Sequence, residues 1–410
     1  MSGAFYKQIC VKIETNTQYD SIKPVLEILK KTSIDFDIYI PRHEDNHNGI
    51  NHMYDNTNRL IKSDGFENII RKVAESNVYK IALIAPHYDA SIRAKFHIKY
   101  SYGAILSTKP SITHRAEMLN HYHAQLLCST RDIEIFSAFC KTYLVPDLKY
   151  AGYTHKTGGE KTKTILIAPS WEDQNSIDWI MELSNRLKGY RIIVKLHPFG
   201  NFGTKVDEST DAIKDKIKNS VDEYYEEDGV LSEIISRCDI VISNTSGAVF
   251  DALYVGIPVI MYLTDMHRFN EGSLLSANVK YANEGYITSV DNVDGLIREI
   301  PISLKKPYIR RQKELSEKLF EQDFSIDAGE KWMSVIRKYL NDEIDDEYTA
   351  MQNIFTRDFW HYKNKADQMT QEVINRDETI ACLRSEVTSY HGVKRSARLL
   401  LGNIKRKIKK

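Results

Sequence analysis

Several fingerprints are missing from this 410-residue chain, and each absence removes a class of function. No Gly-x-Gly-x-x-Gly run appears, which argues against a nicotinamide-dependent enzyme. The stretch Gly158, Gly159, Glu160, Lys161, Thr162 lacks the spacing of a phosphate-binding P-loop and reads as a linker. No Asp-x-Asp pair stands at an expected strand end to hold a metal. Cysteine is sparse: five residues, at 10, 128, 140, 238 and 382, an odd number without metal or redox spacing. They read as buried or incidental thiols of a reducing compartment. No apolar run reaches the length of a membrane-spanning helix. The start, Met1 to Lys7, lacks a signal peptide's apolar core, so a cytosolic protein is expected. Net charge is zero overall, yet residues 392–410 carry eight Lys and Arg and no acid. Residues 1–391 keep 48 basic against 56 acidic side chains, which excludes a globally basic nucleic-acid binder.

What is present is an ordinary soluble composition, 42% hydrophobic and 27% charged. Strand-like runs at 5–13, 35–40, 79–85 and 124–129 alternate with helix-like runs at 19–31, 66–76 and 131–139. Pro24 is tolerable only near a helix start. Residues 41–64, rich in Asn, Asp and His, read as a loop. Within them His43, Glu44 and His47 fit His-Glu-x-x-His, but that string binds zinc only on a helix. After a polar joint at 155–163 the alternation restarts: strands at 164–168, 191–196, 240–243 and 258–262, helices at 176–187, 230–237 and 248–255. Alternation of this kind predicts an α/β protein with two parallel sheets and a ligand beyond the carboxyl ends of the strands. The expected domains are 1–155, 164–335, a helical or coiled-coil segment 336–391 and a basic tail 392–410.

Two sites carry the chemistry. Lys195, Leu196, His197 and Pro198 follow the β-branched run 192–194. Side chains alternate along a strand, so Lys195 and His197 share a face at its rim. A cation and an imidazole there suit a phosphate. A surface lysine beside a capping histidine would explain this string alone. The second site tips the balance: Ser243, Asn244, Thr245, Ser246 and Gly247 lie between a strand and a helix. Capping needs one hydroxyl, expected from Thr245 or Ser246, and not three. Hydroxyls and free N–H groups at a helix start suit a diphosphate. Asp251, inside that helix, is placed to accept from a ribose hydroxyl or to brace the loop, ribose being the first choice.

The run 239–253, followed by Gly256, Ile257, Pro258, Val259 and Ile260, resembles the C-terminal domain of the CDP-glycerol glycerophosphotransferase family. Those enzymes build teichoic-acid-type polymers and related capsules of the cell envelope on the two-domain GT-B fold. Their Lys-x-His-Pro motif matches Lys195, His197 and Pro198. Their Ser-Asp-x-Ser-Ser-like loop matches 243–247, with Asn244 in the acidic position. The similarity runs over roughly 164–265. UDP-N-acetylglucosamine 2-epimerases share the wider layout. The resemblance implies a metal-independent transferase with no cofactor. It would move a polyol-phosphate or glycosyl group from a nucleotide-activated donor, CDP-glycerol-like or a nucleotide sugar, to a glycan or lipid-linked acceptor. The family's general base is the His of a His-Gly loop, whose counterpart here is Tyr102-Gly103. Tyr102 would then hydrogen-bond a substrate phosphate, with Lys109 nearby for charge. His97 and His114 are the alternative bases, or a different acceptor is used. Two other readings stand beside the transferase: an epimerase-like enzyme, and a non-catalytic membrane-bound scaffold.

Beyond residue 369, Val373, Ile380, Leu383, Val387 and Tyr390 fit heptad spacing, interrupted at Arg376. This leaves open a coiled-coil homodimer or one amphipathic helix. In the tail 393–408 apolar residues recur at helical spacing among Lys and Arg, as in helices that lie on anionic lipid. The expected location is the inner face of the cell membrane, with no nucleic acid partner.

Overall fold

The computed structural model describes residues 5–41, 50–74, 76–85, 89–105, 121–137, 139–156, 162–170, 177–196, 214–226, 229–264 and 276–343, with scattered helical positions between 365 and 380. The chain divides into two units, residues 1–352 and 353–410.

The first unit holds two parallel sheets, each with the strand-helix alternation expected. One comprises β1 (Lys7–Lys12), β2 (Phe36–Tyr39), β3 (Ile69–Ile70), β4 (Tyr79–Ile84), β5 (Ala94–Tyr100), β6 (Ala124–Leu127) and β7 (Lys141–Leu144). Their order is β3-β2-β1-β4-β5-β6-β7. The other comprises β8 (Lys163–Ile167), β9 (Tyr190–Lys195), β10 (Glu223–Tyr225), β11 (Ile240–Ser243), β12 (Val259–Tyr262) and β13 (Thr288–Val290). Here the order is β10-β9-β8-β11-β12-β13. In each sheet the order reverses once, between β1 and β4 and between β8 and β11. Ligands of open α/β sheets sit at such switch points.

Three expectations of the sequence are corrected. Residues 41–64 are not all loop, because α2 (Ile50–Ser63) occupies their second part. Tyr54, Thr57 and Ile61 are buried at helical spacing there, a stripe hidden among Asn and Asp. Residues 66–76 are no helix: Ile69 pairs with Ile38 as a short edge strand. Pro24 sits in the middle of α1 (Asn16–Lys31), not near its start. The cost of an interior proline is met by packing. A Cβ on Gly329 would come 3.3 Å from the Pro24 Cβ and 3.0 Å from Ile28 Cδ1, so the glycine makes room for that contact.

Gly329 begins the last described helix of this unit, Gly329–Leu340, and moves a boundary. The sequence reading carried the second half to residue 335. Trp332, Met333, Val335, Ile336 and Tyr339 instead bury themselves in the core of the first sheet, with Ile9, Val11, Ile22 and Leu26. The Trp332 indole donates to the Pro146 carbonyl at 2.8 Å. The chain thus crosses from the second sheet back to the first, because that amphipathic face finds its apolar partner there.

Among the described residues no helix is long and apolar enough to cross a membrane. Cys10, Cys128, Cys140 and Cys238 are buried free thiols, as expected, and Cys382 lies outside the described residues. In the second unit Met369, Val373 and Ile380 are helical and exposed. The tail 392–410 lies outside the described residues.

Candidate functional site

The second sheet brings the two motifs to one edge. Ile167 is in register with Val194 on one side and with Ile242 on the other. One residue further on, Lys195, Ala168 and Ser243 form the next row, at the carboxyl ends of β9, β8 and β11. Neighbouring strands lie about 4.8 Å apart, so Lys195 and Ser243 are separated by roughly 10 Å of backbone. Ile193 and Val241 belong to one buried cluster, and alternation puts Lys195 and Ser243 on that same face. Ala104 and Ile105, which follow Tyr102 and Gly103 in the first half, join this cluster too.

Within the turn, the five residues divide by burial. The Ser243 hydroxyl donates to the Ala168 carbonyl at 2.6 Å, and the Asn244 Oδ1 accepts from the Ser170 N–H at 2.7 Å. Both side chains are buried and tie β11 to the end of β8 at the switch point. They brace the turn from within. Thr245, Ser246 and Gly247 are partly exposed and form the part a ligand can reach. Ser246 Oγ accepts from the Ala248 N–H at 3.3 Å, while Gly247 takes the cap position of the helix Ala248–Tyr254. Among the described residues the backbone N–H groups of Thr245, Ser246 and Gly247 meet no acceptor. Gly247 has an ordinary φ of −60°, and a Cβ built there meets no described atom within 4 Å. Neither the backbone conformation nor packing among the described residues asks for a glycine at this position.

Sequence reading missed Asn278, because nothing marks it locally. It is fully buried on the helix Ala277–Asn283, and its amide donates to the carbonyls of Ser246 (2.8 Å) and Asn244 (3.3 Å). Those two bonds turn the peptide carbonyls inward, which leaves the N–H side of the turn outward. Ser276 donates in turn to the Asn278 Oδ1 at 3.2 Å.

The Lys195 ammonium donates to the carbonyls of Leu196 (3.1 Å) and Glu226 and is 9% exposed. Neutral acceptors hold it at the strand end. His197 and Pro198 lie outside the described residues. So do Lys109, His114 and the His43 to His47 string.

Asp251 is not placed for a ribose. It is 4% exposed, and its Oδ1 lies 2.6 Å from the Lys149 ammonium. Lys149 belongs to a short 3-10 helix, Leu148–Tyr150, and also faces Asp147 at 3.5 Å. The alternative weighed for Asp251, bracing the loop, is the one the geometry favours. Burial pushes the Asp147 carboxyl up to about 6, against the pull of Lys149 and with help from Asp251. A carboxyl raised from its ordinary 3.8 costs the folded state stability as pH climbs through that interval. Asp147→Asn removes this loss. The melting-temperature advantage of the variant over the parent should therefore grow between pH 4 and pH 6 and then level off. The matching pH-dependent change in folding free energy should be roughly 2–3 kcal/mol, at about 1.4 kcal/mol per unit. A constant difference across that range would contradict the assignment.

In the first half, Tyr102 is partly buried beside Leu127 and Phe136, directly after the carboxyl end of β5. Gly103, like Gly247, has no described atom within 4 Å of a built Cβ. His97 is no candidate base. It lies inside β5, 8% exposed, with Nε2 3.0 Å from the Ile92 carbonyl and its ring stacked on His123. Burial pulls its pKa down. The first sheet's switch point holds a further cluster not read from the sequence: the buried Lys12 ammonium sits 3.0 Å from Glu14 and 3.3 Å from Asp89.

Residues 154–326 match the model of the CDP-Glycerol:Poly(glycerophosphate) glycerophosphotransferase family, so the resemblance drawn over 164–265 holds and extends in both directions. No curated protein sequence matches the chain. Among solved structures, the wall teichoic acid polymerase TagF superposes with a TM-score of 0.57 at 12% identity, covering 83% of this chain and 90% of that one. S. aureus MnaA, solved with UDP, gives 0.54 at 10% identity, covering 82% and 97%. A putative UDP-N-acetylglucosamine 2-epimerase from Listeria monocytogenes gives 0.50 at 12% identity, covering 83% and 98%. The fold is GT-B, as expected from the sequence.

Proposed function

We propose that this chain is a transferase that moves a polyol-phosphate or glycosyl group from a nucleotide-activated donor to a cell-surface polymer. One observation carries the reading. Three adjacent N–H groups, those of Thr245, Ser246 and Gly247, meet no acceptor among the described residues, a Cβ built at Gly247 has no described atom within 4 Å, and the turn lies on a strand edge shared with Lys195. Such a nest of donors beside an ammonium suits a diphosphate. The family match over 154–326 makes a CDP-polyol the first choice of donor. The likeness to a putative UDP-N-acetylglucosamine 2-epimerase and to MnaA, solved with UDP, keeps a nucleotide sugar as the second.

In the proposed reaction the donor's diphosphate lies on the turn, with Lys195 against a phosphate oxygen. Preorganised N–H groups and the ammonium stabilise the charge that develops on the leaving nucleotide, a task that calls for no metal. His197 hydrogen-bonds or protonates a phosphate oxygen. A base from the first half takes the proton of the acceptor hydroxyl, with Tyr102, Gly103 and Lys109 on the acceptor side. The acceptor is a glycan or lipid-linked polymer. The basic tail holds the protein on the inner face of the membrane, each Lys or Arg contributing roughly 1 kcal/mol on anionic lipid.

A scaffold that keeps the fold without catalysis is favoured by one feature, Tyr102 where the family carries His. Thermal-shift titration with CDP-glycerol, CDP-ribitol, CMP and UDP-sugars tests donor binding. A true donor at a hundredfold excess over Kd adds about 2.7 kcal/mol of apparent stability. No shift with any nucleotide would sink the proposal. Nucleotide release in the presence of acceptor then separates enzyme from scaffold, and product mass separates phosphate transfer from sugar transfer.

A further inference from the structure

We infer that Lys149 is a positioning residue, holding the diphosphate turn of the second half in register with the acceptor side of the first. This inference rests on the function proposed above. Lys149 lies where the chain leaves β7 for the second sheet, and its ammonium reaches Asp251 in the second half at 2.6 Å. Asp251 stands on the helix Ala248–Tyr254, which begins directly after Gly247. The four-residue step from Gly247 to Asp251 spans about 6 Å of helix.

The same helix is gripped a second time. The Tyr254 ring stacks on Tyr150 at 5.4 Å, and its hydroxyl accepts from the Asp147 N–H at 3.1 Å. Asp251 and Tyr254 are three apart and so share a helix face. That face is held by Asp147, Lys149 and Tyr150, all within the connector. The helix carrying the turn is therefore fixed by the connector as well as by its own sheet.

The choice of an ion pair is informative. Lys149, Asp147 and Asp251 are nearly or fully buried, with side chains 5%, 1% and 6% exposed. Burying charges costs desolvation that apolar side chains of similar volume would not incur. An arrangement chosen for stability alone would be apolar. An ion pair at 2.6 Å between buried groups fixes the spacing of the two segments that carry it, and a change of about 1 Å in the spacing of reacting groups can cost roughly a hundredfold in rate.

The test replaces the whole triad, because deleting Lys149 alone strands two buried carboxylates and invites unfolding. The triple variant Lys149→Met, Asp147→Asn, Asp251→Leu leaves no buried charge. The amide oxygen that Asp147→Asn introduces would keep the bond that Asp147 Oδ1 accepts from the N–H of residue 149. Three quantities are measured on the full chain: Kd for CDP-glycerol by calorimetry, kcat for transfer, and the distance distribution between spin labels. The labels sit at exposed Lys31 in the first half and exposed Arg298 in the second, in a Cys382→Ser background. The expected result is a Kd within about threefold of the parent, a kcat lower by roughly 10- to 100-fold, and a broader label distribution. A split of this kind is not produced by lost stability, which lowers the active fraction and leaves kcat per folded molecule unchanged. An unchanged kcat in the folded triple variant would overturn the inference. Should the parent itself neither bind CDP-glycerol nor release nucleotide, the proposed function fails. The label distances still decide the positioning role: an unbroadened distribution overturns it, and a broadened one upholds the grip.

Discussion

Replacing Gly247 with leucine should abolish nucleotide binding while leaving the protein folded. The backbone at this position has φ −60°, open to any residue, and a Cβ there meets no described atom within 4 Å. Exchanging a cap glycine for leucine costs at most about 1 kcal/mol of helix stability. The leucine side chain, however, would occupy the space bordered by the N–H groups of Thr245, Ser246 and Gly247. A diphosphate could not approach them, and its charge-assisted bonds would be lost. CDP-glycerol affinity should fall by at least about a hundredfold, with a melting temperature within a few degrees of the parent. Calorimetric titration and a thermal scan on the same preparation measure both. Tight binding by the leucine variant would mean that the glycine is incidental and the turn binds no phosphate.

His197→Ala should cost about as much in turnover as that variant costs in binding. His197 lies two residues beyond Lys195, whose ammonium is held at the strand end by the Leu196 and Glu226 carbonyls. A positioned imidazole that transfers a proton contributes typically about 10²- to 10⁴-fold, so kcat should fall by that factor. CDP-glycerol binding should change much less, because the turn and Lys195 remain. Near-normal turnover would remove His197 from the mechanism and leave Lys195 as the only active group of its motif.

Much of the second half was legible because its signals are local. Residues 239–262 form a strand, turn, helix and strand, and each element was read within a residue or two of its place. Buried β-branched runs and a Gly256 with positive φ before Pro258 leave few alternatives. The first half was harder. β5 escaped notice because His97 and Lys99 interrupt its apolar pattern, although both are buried. α2 was hidden for the opposite reason, its apolar stripe being set among Asn and Asp.

The site divides along the same line. Placing Lys195 and the turn on one edge followed from strand ends that the sequence displays. The roles inside the turn did not, since Ser243 and Asn244 look like ligands until Ala168 and Ser170 are seen to occupy them. Asp251 misled most. Its partner Lys149 lies 102 positions earlier in the chain, and only tertiary packing brings the two together. Asn278 lies 34 and 32 positions from the carbonyls it holds. Long-range polar partners of this kind leave no periodic trace in a sequence.

The most direct test is a structure of the chain with CDP-glycerol bound. Diphosphate oxygens within hydrogen-bond distance of the Thr245, Ser246 and Gly247 N–H groups, with the Lys195 ammonium on the same diphosphate, are the predicted result. A nucleotide seated elsewhere, with the turn empty and Lys195 out of reach, would contradict it.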